Sequence, residues 1–149
     1  MWKNLKTRRF FSASDKDRLL AAIQAAEKLT SGEIRIHVES GAGGDPIRRA
    51  AGVFEELGMT RTQLRNGVLI YLAVKDRKFA IIGDRGIDAA VPENFWEETK
   101  ELMGREFQAG RFVEGVCLGI RLAGERLAQH FPYQSDDVNE LTDEISEGI

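Results

Sequence analysis

The most constraining feature of this sequence is an apolar segment that is followed, after only four residues, by a second one. Residues 68–74 are apolar on both faces of a strand, which is typical of a central strand covered by helices on each side. The second segment, residues 79–82, follows a connection that is too short for a parallel crossover. The two segments are therefore predicted to form an antiparallel hairpin.

Helix and strand periodicities precede this hairpin. Ser14 is predicted to cap a first helix, whose buried positions recur at three-to-four spacing. Residues 33–39 alternate between apolar and polar, which predicts a strand with one solvated face at the edge of the sheet. A second helix is predicted from Pro46 to about Leu57. Because a helix separates the first two strands, they are predicted to be parallel, and the hairpin makes the sheet mixed.

Two further helices are predicted in the second half of the chain, after a turn at residues 84–86. Pro92 opens the first of them, and the last spans about residues 112–130. The last helix contains Gly115 and Gly119, one turn apart. Each glycine costs about 1 kcal/mol of helix propensity relative to alanine, so close packing is expected to compensate. The predicted fold class is α/β, a small mixed sheet with helices on both sides.

Length and charge divide the 149-residue chain into one domain with two charged ends. We predict a basic N-terminal arm over residues 1–13, an α/β domain over 14–132 and an acidic C-terminal tail over 133–149. The arm contains Lys3, Lys6, Arg8 and Arg9, and the tail contains Asp136, Asp137, Glu140, Asp143, Glu144 and Glu147. A formal net charge of -3 argues against a dedicated nucleic-acid binder.

The expected compartment is the cytoplasm. Cys117 is the single cysteine, so no intrachain disulfide can form. The basic N-terminus is not followed by the apolar segment of a signal peptide, and no apolar run approaches the length of a membrane span. We therefore expect no membrane span, and the sequence leaves the oligomeric state open.

Three carboxylates are predicted to converge at one end of the sheet. The strand order brings Glu33, at the start of the first strand, to the same end as Asp84, which follows the third, and the loop at Asp88 joins them. Clustered carboxylates repel each other unless they share a cation, and Ca²⁺ or Mg²⁺ accepts such oxygens. Each residue also has a structural interpretation: Glu33 flanks a strand, Asp84 forms a turn or caps a helix, and Asp88 is solvated.

The other polar candidates favour structural roles. His37 on a strand and His130 at a helix end do not form a zinc set, and Cys117 lies in an apolar helix. The glycine-rich residues 41–44 lack both common phosphate-loop motifs.

Several segments resemble the TPM domain family. They are residues 31–37 (SGEIRIH), 65–71 (RNGVLIY) and 76–87 (DRKFAIIGDRGI), and residues 91–96 and 133–141 resemble its cytosolic bacterial branch. The resemblance implies a three-layer αβα sandwich around a small mixed β-sheet. It also implies several activities, since one plant member is described as an acid phosphatase, others modulate receptors, and some bind calcium through acidic loops. A metal role carries over to Asp84 and Asp88.

Three functions are compatible with these observations. The leading hypothesis is a divalent-cation-binding module in which Glu33, Asp84 and Asp88 are ligands and water completes the shell. The second is a metal-assisted phosphatase of phosphomonoesters, in which Arg85 or Arg77 stabilises phosphate charge.

The third hypothesis is a protein-interaction module whose partner engages the acidic tail. Val138, Leu141 and Ile145 recur at helical spacing, which predicts a short amphipathic helix there.

Overall fold

The computed structural model describes residues 10–134 and 145–148. Its strands are β1 (Glu33–Glu39), β2 (Gly67–Ala73), β3 (Lys78–Gly83) and β4 (Ser146–Glu147). Its α-helices are α1 (Ala13–Glu27), α2 (Pro46–Glu56), α3 (Arg85–Ala90), α4 (Glu97–Gln108) and α5 (Phe112–Leu127), with a 3₁₀ turn at Met59–Arg61. Among the described residues, no helix combines the length and the apolar character needed to cross a bilayer.

The sheet is mixed, and its strand order is β3-β2-β1-β4. β1 and β2 are parallel, β2 and β3 are antiparallel, and β2 lies inside the sheet, as predicted. The prediction that β1 forms an edge is wrong, because β4 pairs with it in parallel at His37 and Val38. The polar face of β1 is not solvated: His37 and Glu39 are buried on it and bonded to one another.

Helices cover both faces of the sheet. One buried cluster joins Ile36 and Ile70 to α1, α4 and α5 through residues such as Leu19, Met103 and Ile120. The other joins Leu69 and Tyr71 to Val53 of α2. Alternate residues of β2 therefore enter opposite cores, which is why the strand is apolar on both faces. The predicted α/β fold with three αβα layers is confirmed.

Three helix starts differ from prediction. α1 begins at Ala13 and its cap is Ser12, two residues before the predicted cap, because Ser12 and Asp15 form a reciprocal capping box. The predicted turn at residues 84–86 is the start of α3, since the Asp84 side chain caps the Arg85 amide. Pro92 does not open α4: the chain makes turns over residues 92–96 before the helix begins at Glu97.

The two glycines of α5 allow the close packing that was expected. A Cβ added at Gly115 would lie 2.5 Å from a ring carbon of Phe107, and one at Gly119 would lie 2.5 Å from the sulfur of Met103. Both contacts are with α4, so the two glycines set how closely these helices approach.

The charged ends of the chain are described only in part. The basic residues of the N-terminal arm, and Val138 and Leu141 of the tail, lie outside the described residues. Ile145 directly precedes β4, so the last described tail residues form a strand rather than a helix. The Glu147 carboxylate of β4 lies 2.5 Å from the Lys16 ammonium of α1.

Candidate functional site

The predicted carboxylates lie at the amino end of β1 and β2. Glu33 is opposite Gly67 in the strand register, and the Asp84 amide donates a 2.9 Å hydrogen bond to the Gly67 carbonyl. Asp88 is in the first turn of α3 and donates its amide to the Asp84 carbonyl. The strand order thus brings Glu33, Asp84 and Asp88 to one end of the sheet.

The Asp84 carboxylate is bound by an arginine that the sequence did not point to. Arg65 donates from Nε to Oδ2 at 2.7 Å and from Nη2 to Oδ1 at 2.9 Å, which is the bidentate geometry of a strong ion pair. The Arg85 amide also donates to Oδ1 at 2.8 Å. The hydrogen bonds that Arg65 donates to Asp84 raise the pKa of Arg65. Asp84 is therefore buried as an ion-paired helix cap.

Gly86 brings α3 close to the loop that carries Arg65. Its amide donates to the Arg65 carbonyl at 2.9 Å, and a Cβ at this position would lie 2.2 Å from the Leu64 carbonyl oxygen. Arg65 itself has a backbone φ of 52°, in the left-handed region that few non-glycine residues adopt. The sequence shows Gly86 as part of a turn, but not this contact.

Asp88 is exposed, whereas the other two candidate carboxylates, Glu33 and Asp84, are buried. Partial desolvation of its carboxyl group and the negative charge of Asp84 raise the pKa of Asp88. Glu33 and Asp84 are each only about 5% exposed. Within residues 10–134 and 145–148, no group of three or more His, Cys, Asp or Glu side chains is placed to hold a metal ion.

The two candidate anion-binding arginines are at opposite ends of the sheet. Arg85 is exposed at the start of α3, beside the carboxylates. Arg77 lies in the turn between β2 and β3, so of these two arginines Arg85 is the one near Asp84.

A second polar cluster, at the carboxyl end of β1, was missed by the sequence analysis. Glu39 is 3% exposed, and its carboxylate accepts two bonds from Arg49, at 2.8 and 2.9 Å. It also accepts a short bond from the Tyr71 hydroxyl and lies 2.9 Å from His37 Nε2. The His37 Nδ1 atom contacts the Ser146 hydroxyl of β4 at 2.9 Å. We call these five residues the Glu39 network.

One signal in the sequence pointed to the Glu39 network. Tyr71 is the only residue of the aliphatic strand β2 with a side-chain hydroxyl, and a buried hydroxyl requires a partner. The parallel register places Tyr71 opposite His37, two residues before Glu39. Since four donors surround the Glu39 carboxylate and the residue is buried, the arrangement is suited to structural support rather than to proton transfer with a substrate.

The Glu39 network predicts a specific loss of stability in acid. Burial alone would raise the pKa of Glu39, but the hydrogen bonds from Arg49, Tyr71 and His37 lower it to about 2, from an ordinary 4.5. A depressed pKa stabilises the folded state above pH 4.5, and this contribution disappears as the pH falls toward 2. It amounts to roughly 3 kcal/mol.

Urea unfolding between pH 5 and pH 2 measures this contribution. Wild type is expected to lose roughly 3 kcal/mol more than Glu39→Gln over this interval, because the other acids titrate equally in both proteins. Equal losses in the two proteins would show that Glu39 has an ordinary pKa.

Comparisons with known proteins agree with this fold. The BA42 protein of the psychrophilic bacterium Bizionia argentinensis has an NMR structure that matches with a TM-score of 0.89 and 44% identity, covering 94% of this chain and 97% of that one. An N-terminal domain from P. gingivalis matches at 0.68 with 14% identity over 85% of this chain and 83% of that one.

A third solved structure, an N-terminal domain from Corynebacterium glutamicum, matches with a TM-score of 0.60 and 16% identity over 93% of this chain and 82% of that one. At these identities the last two matches bear on the fold alone. The search of curated proteins gave no match. The family model of the TPM domain matches residues 6–126. The chain belongs to the TPM domain family.

Proposed function

We propose that the protein is a divalent-cation-binding module, in which Glu33, Asp84 and Asp88 provide oxygen ligands for Ca²⁺ or Mg²⁺. The observation that carries the proposal is the backbone register at the amino end of the sheet, where Gly67 is opposite Glu33 and accepts the Asp84 amide. α3 then adds Asp88 one turn later. Hard cations are held by carboxylates and water. Because the side chains in the described residues are not placed around one point, the proposal requires the three carboxylates to move together when the ion binds.

Arg65 sets the expected strength of binding. Its two hydrogen bonds occupy part of the Asp84 carboxylate, and its positive charge opposes a cation at the same place. Asp88 is exposed and supplies an oxygen that Arg65 does not occupy. A site with few protein ligands retains several waters, so we expect a dissociation constant of about 10⁻⁴–10⁻³ M, as in weak calcium modules.

Calcium is therefore expected to raise the melting temperature of the full chain. The unfolded chain does not hold the ligands together, so the ion stabilises only the folded state. At about 100-fold above its dissociation constant the ion adds roughly 2.7 kcal/mol. Asp88→Asn should melt near wild type without calcium and gain little when calcium is added, as measured in a thermal scan with and without the ion.

The matched control is Asp17→Asn, the same change at an exposed position of α1. It should keep the full calcium response. If Asp88→Asn and wild type respond equally, Asp88 is not a ligand. Asp84→Asn is a poorer probe, because two effects on its melting temperature without calcium oppose each other. Relief of carboxylate repulsion predicts melting near or above wild type. Loss of the ion pair with Arg65 predicts melting below wild type.

A measurement of phosphate release distinguishes the phosphatase alternative. Arg85 is the cation beside the carboxylates, and an enzyme would use it to stabilise phosphate charge. Metal-dependent phosphate release from a phosphomonoester, above that of a matched Asp84→Ala protein, would favour the enzyme. Calcium binding without release would favour the module.

The protein-interaction alternative concerns the acidic tail. Deletion of the residues after Pro132 should abolish capture of a tail-dependent partner, and unchanged capture would exclude the tail as its binding segment.

A further inference from the structure

A cavity of about 620 Å³ lies between the β2–β3 hairpin and the junction of α4 with α5. This volume is within the 300–1,000 Å³ range that is typical of small-molecule sites. The cavity is at the carboxyl end of β2, so it lies at the opposite end of the sheet from Asp84 and is independent of the proposed cation site.

The body of the cavity is apolar. Leu72 and Val74 contribute from β2 and the residue after it, and three phenylalanines contribute from the surrounding elements. The Phe79 and Phe107 rings meet edge to face with centroids 5.0 Å apart, and Phe107 lies 5.3 Å from Phe112. These three rings are only partly buried. They form a continuous aromatic surface that an apolar chain can contact.

Two cations line the same cavity. Arg77 and Lys78 are exposed, and within the described part of the chain neither forms an ion pair or a hydrogen bond through its side chain. Arg77 also has a backbone φ of 54°. A positive φ at this place is ordinary geometry for a short hairpin turn, and it fixes the backbone from which the Arg77 side chain extends. An apolar body beside cations that pair with no described residue is complementary to an amphiphilic anion.

We propose that this cavity binds a free fatty acid, a single-chain amphiphile with an anionic head. The chain lies against Phe79, Phe107 and Phe112, and the carboxylate accepts charge-assisted hydrogen bonds from Arg77 and Lys78. A protein partner fits the site less well, because a stable interface buries about 800 Å² on each side and a concave cavity of this size does not offer that area.

Gly104 provides a direct test because it lines the cavity and has open space where a side chain would begin. No atom lies within 4 Å of a Cβ added there. Gly104→Leu is therefore expected to extend into the cavity and narrow it. Gly52, in the middle of α2, is equally open and exposed, so Gly52→Leu is the matched control.

The experiment is titration of the full chain with dodecanoate below its critical micelle concentration, followed by calorimetry and by chemical shifts of the three phenylalanine rings. We expect saturable one-to-one binding to wild type and to Gly52→Leu, and loss of binding in Gly104→Leu. Arg77→Gly, which keeps the positive φ, and Lys78→Gln should each weaken binding by about 10-fold or more. Dodecanol should bind more weakly than dodecanoate.

Several results would overturn the proposal. One is the absence of saturable binding to wild type, and another is equal binding by Gly104→Leu and wild type while the phenylalanine shifts stay unchanged. Equal affinity for dodecyltrimethylammonium would contradict the role of the two cations. Binding to vesicles of anionic phospholipid without any binding of free dodecanoate would assign the surface to a membrane instead.

Discussion

Replacing Arg49 with alanine is expected to lower the free energy of unfolding by about 3 kcal/mol, because Arg49 is the partly exposed partner of a buried carboxylate whose charge would lose its main compensation. Glu39 is 3% exposed, and Arg49 supplies two of its four hydrogen-bond donors. Tyr71 and His37 continue to donate, which places the loss at the lower end of the usual range. Urea unfolding at pH 7 measures the change.

Two controls separate the buried pair from other contacts of Arg49. The guanidinium also lies 3.3 Å from Glu56, an exposed partner, so Glu56→Gln is expected to change stability by about 0.5 kcal/mol or less. The double variant Glu39→Gln/Arg49→Met removes both charges and should be more stable than Arg49→Ala. A loss below about 1 kcal/mol in Arg49→Ala would show that Glu39 does not depend on this arginine.

Replacing Ile70 with alanine is expected to cost roughly 2–5 kcal/mol, a large part of the 5–15 kcal/mol that stabilises a typical domain. Ile70 is fully buried, and β2 has a paired strand on each side. The lost methyl groups leave a cavity that the two neighbouring strands restrain from collapsing. Urea denaturation should show a lower midpoint with an unchanged m-value.

Ile47 offers the same substitution in a different environment. It is 57% exposed in the first turn of α2, so Ile47→Ala is expected to change stability by about 0.5 kcal/mol or less. A similar small change in Ile70→Ala would mean that β2 is not central to the core.

The parts of the fold that sequence reasoning predicted depend on residues that are close together in the chain. The apolar segment of β2 and the short turn to β3 define the hairpin locally, and the α2 crossover makes β1 parallel to β2. β4 was not predicted. It is only two residues long, and its position depends on pairing with His37 and Val38, which are far away in the sequence. No periodicity can be recognised in so short a strand.

The candidate site shows the same limit. Topology brings Glu33, Asp84 and Asp88 to one end of the sheet, as the strand order predicted. The ion pair of Asp84 with Arg65 was not predictable, because it depends on two features of the folded backbone. Arg65 has a left-handed conformation, and Gly86 lets α3 approach the loop that carries Arg65. The alternation of β1 correctly placed Glu39 on a polar face, but it does not reveal that Arg49 of α2 binds Glu39 there and that Ser146 of β4 contacts His37.

The shortness of β4 has a kinetic consequence. His37 and Ser146 are 109 residues apart, so joining them closes a long loop, and only two residue pairs hold the strand against β1. The entropy of that closure is recovered only after the rest of the sheet is in place, which makes β4 the last strand to dock and the first to detach. Such local opening occurs far more often than global unfolding. Each opening is expected to admit water to Glu39 and to release Ile145, which packs against the edge of one core.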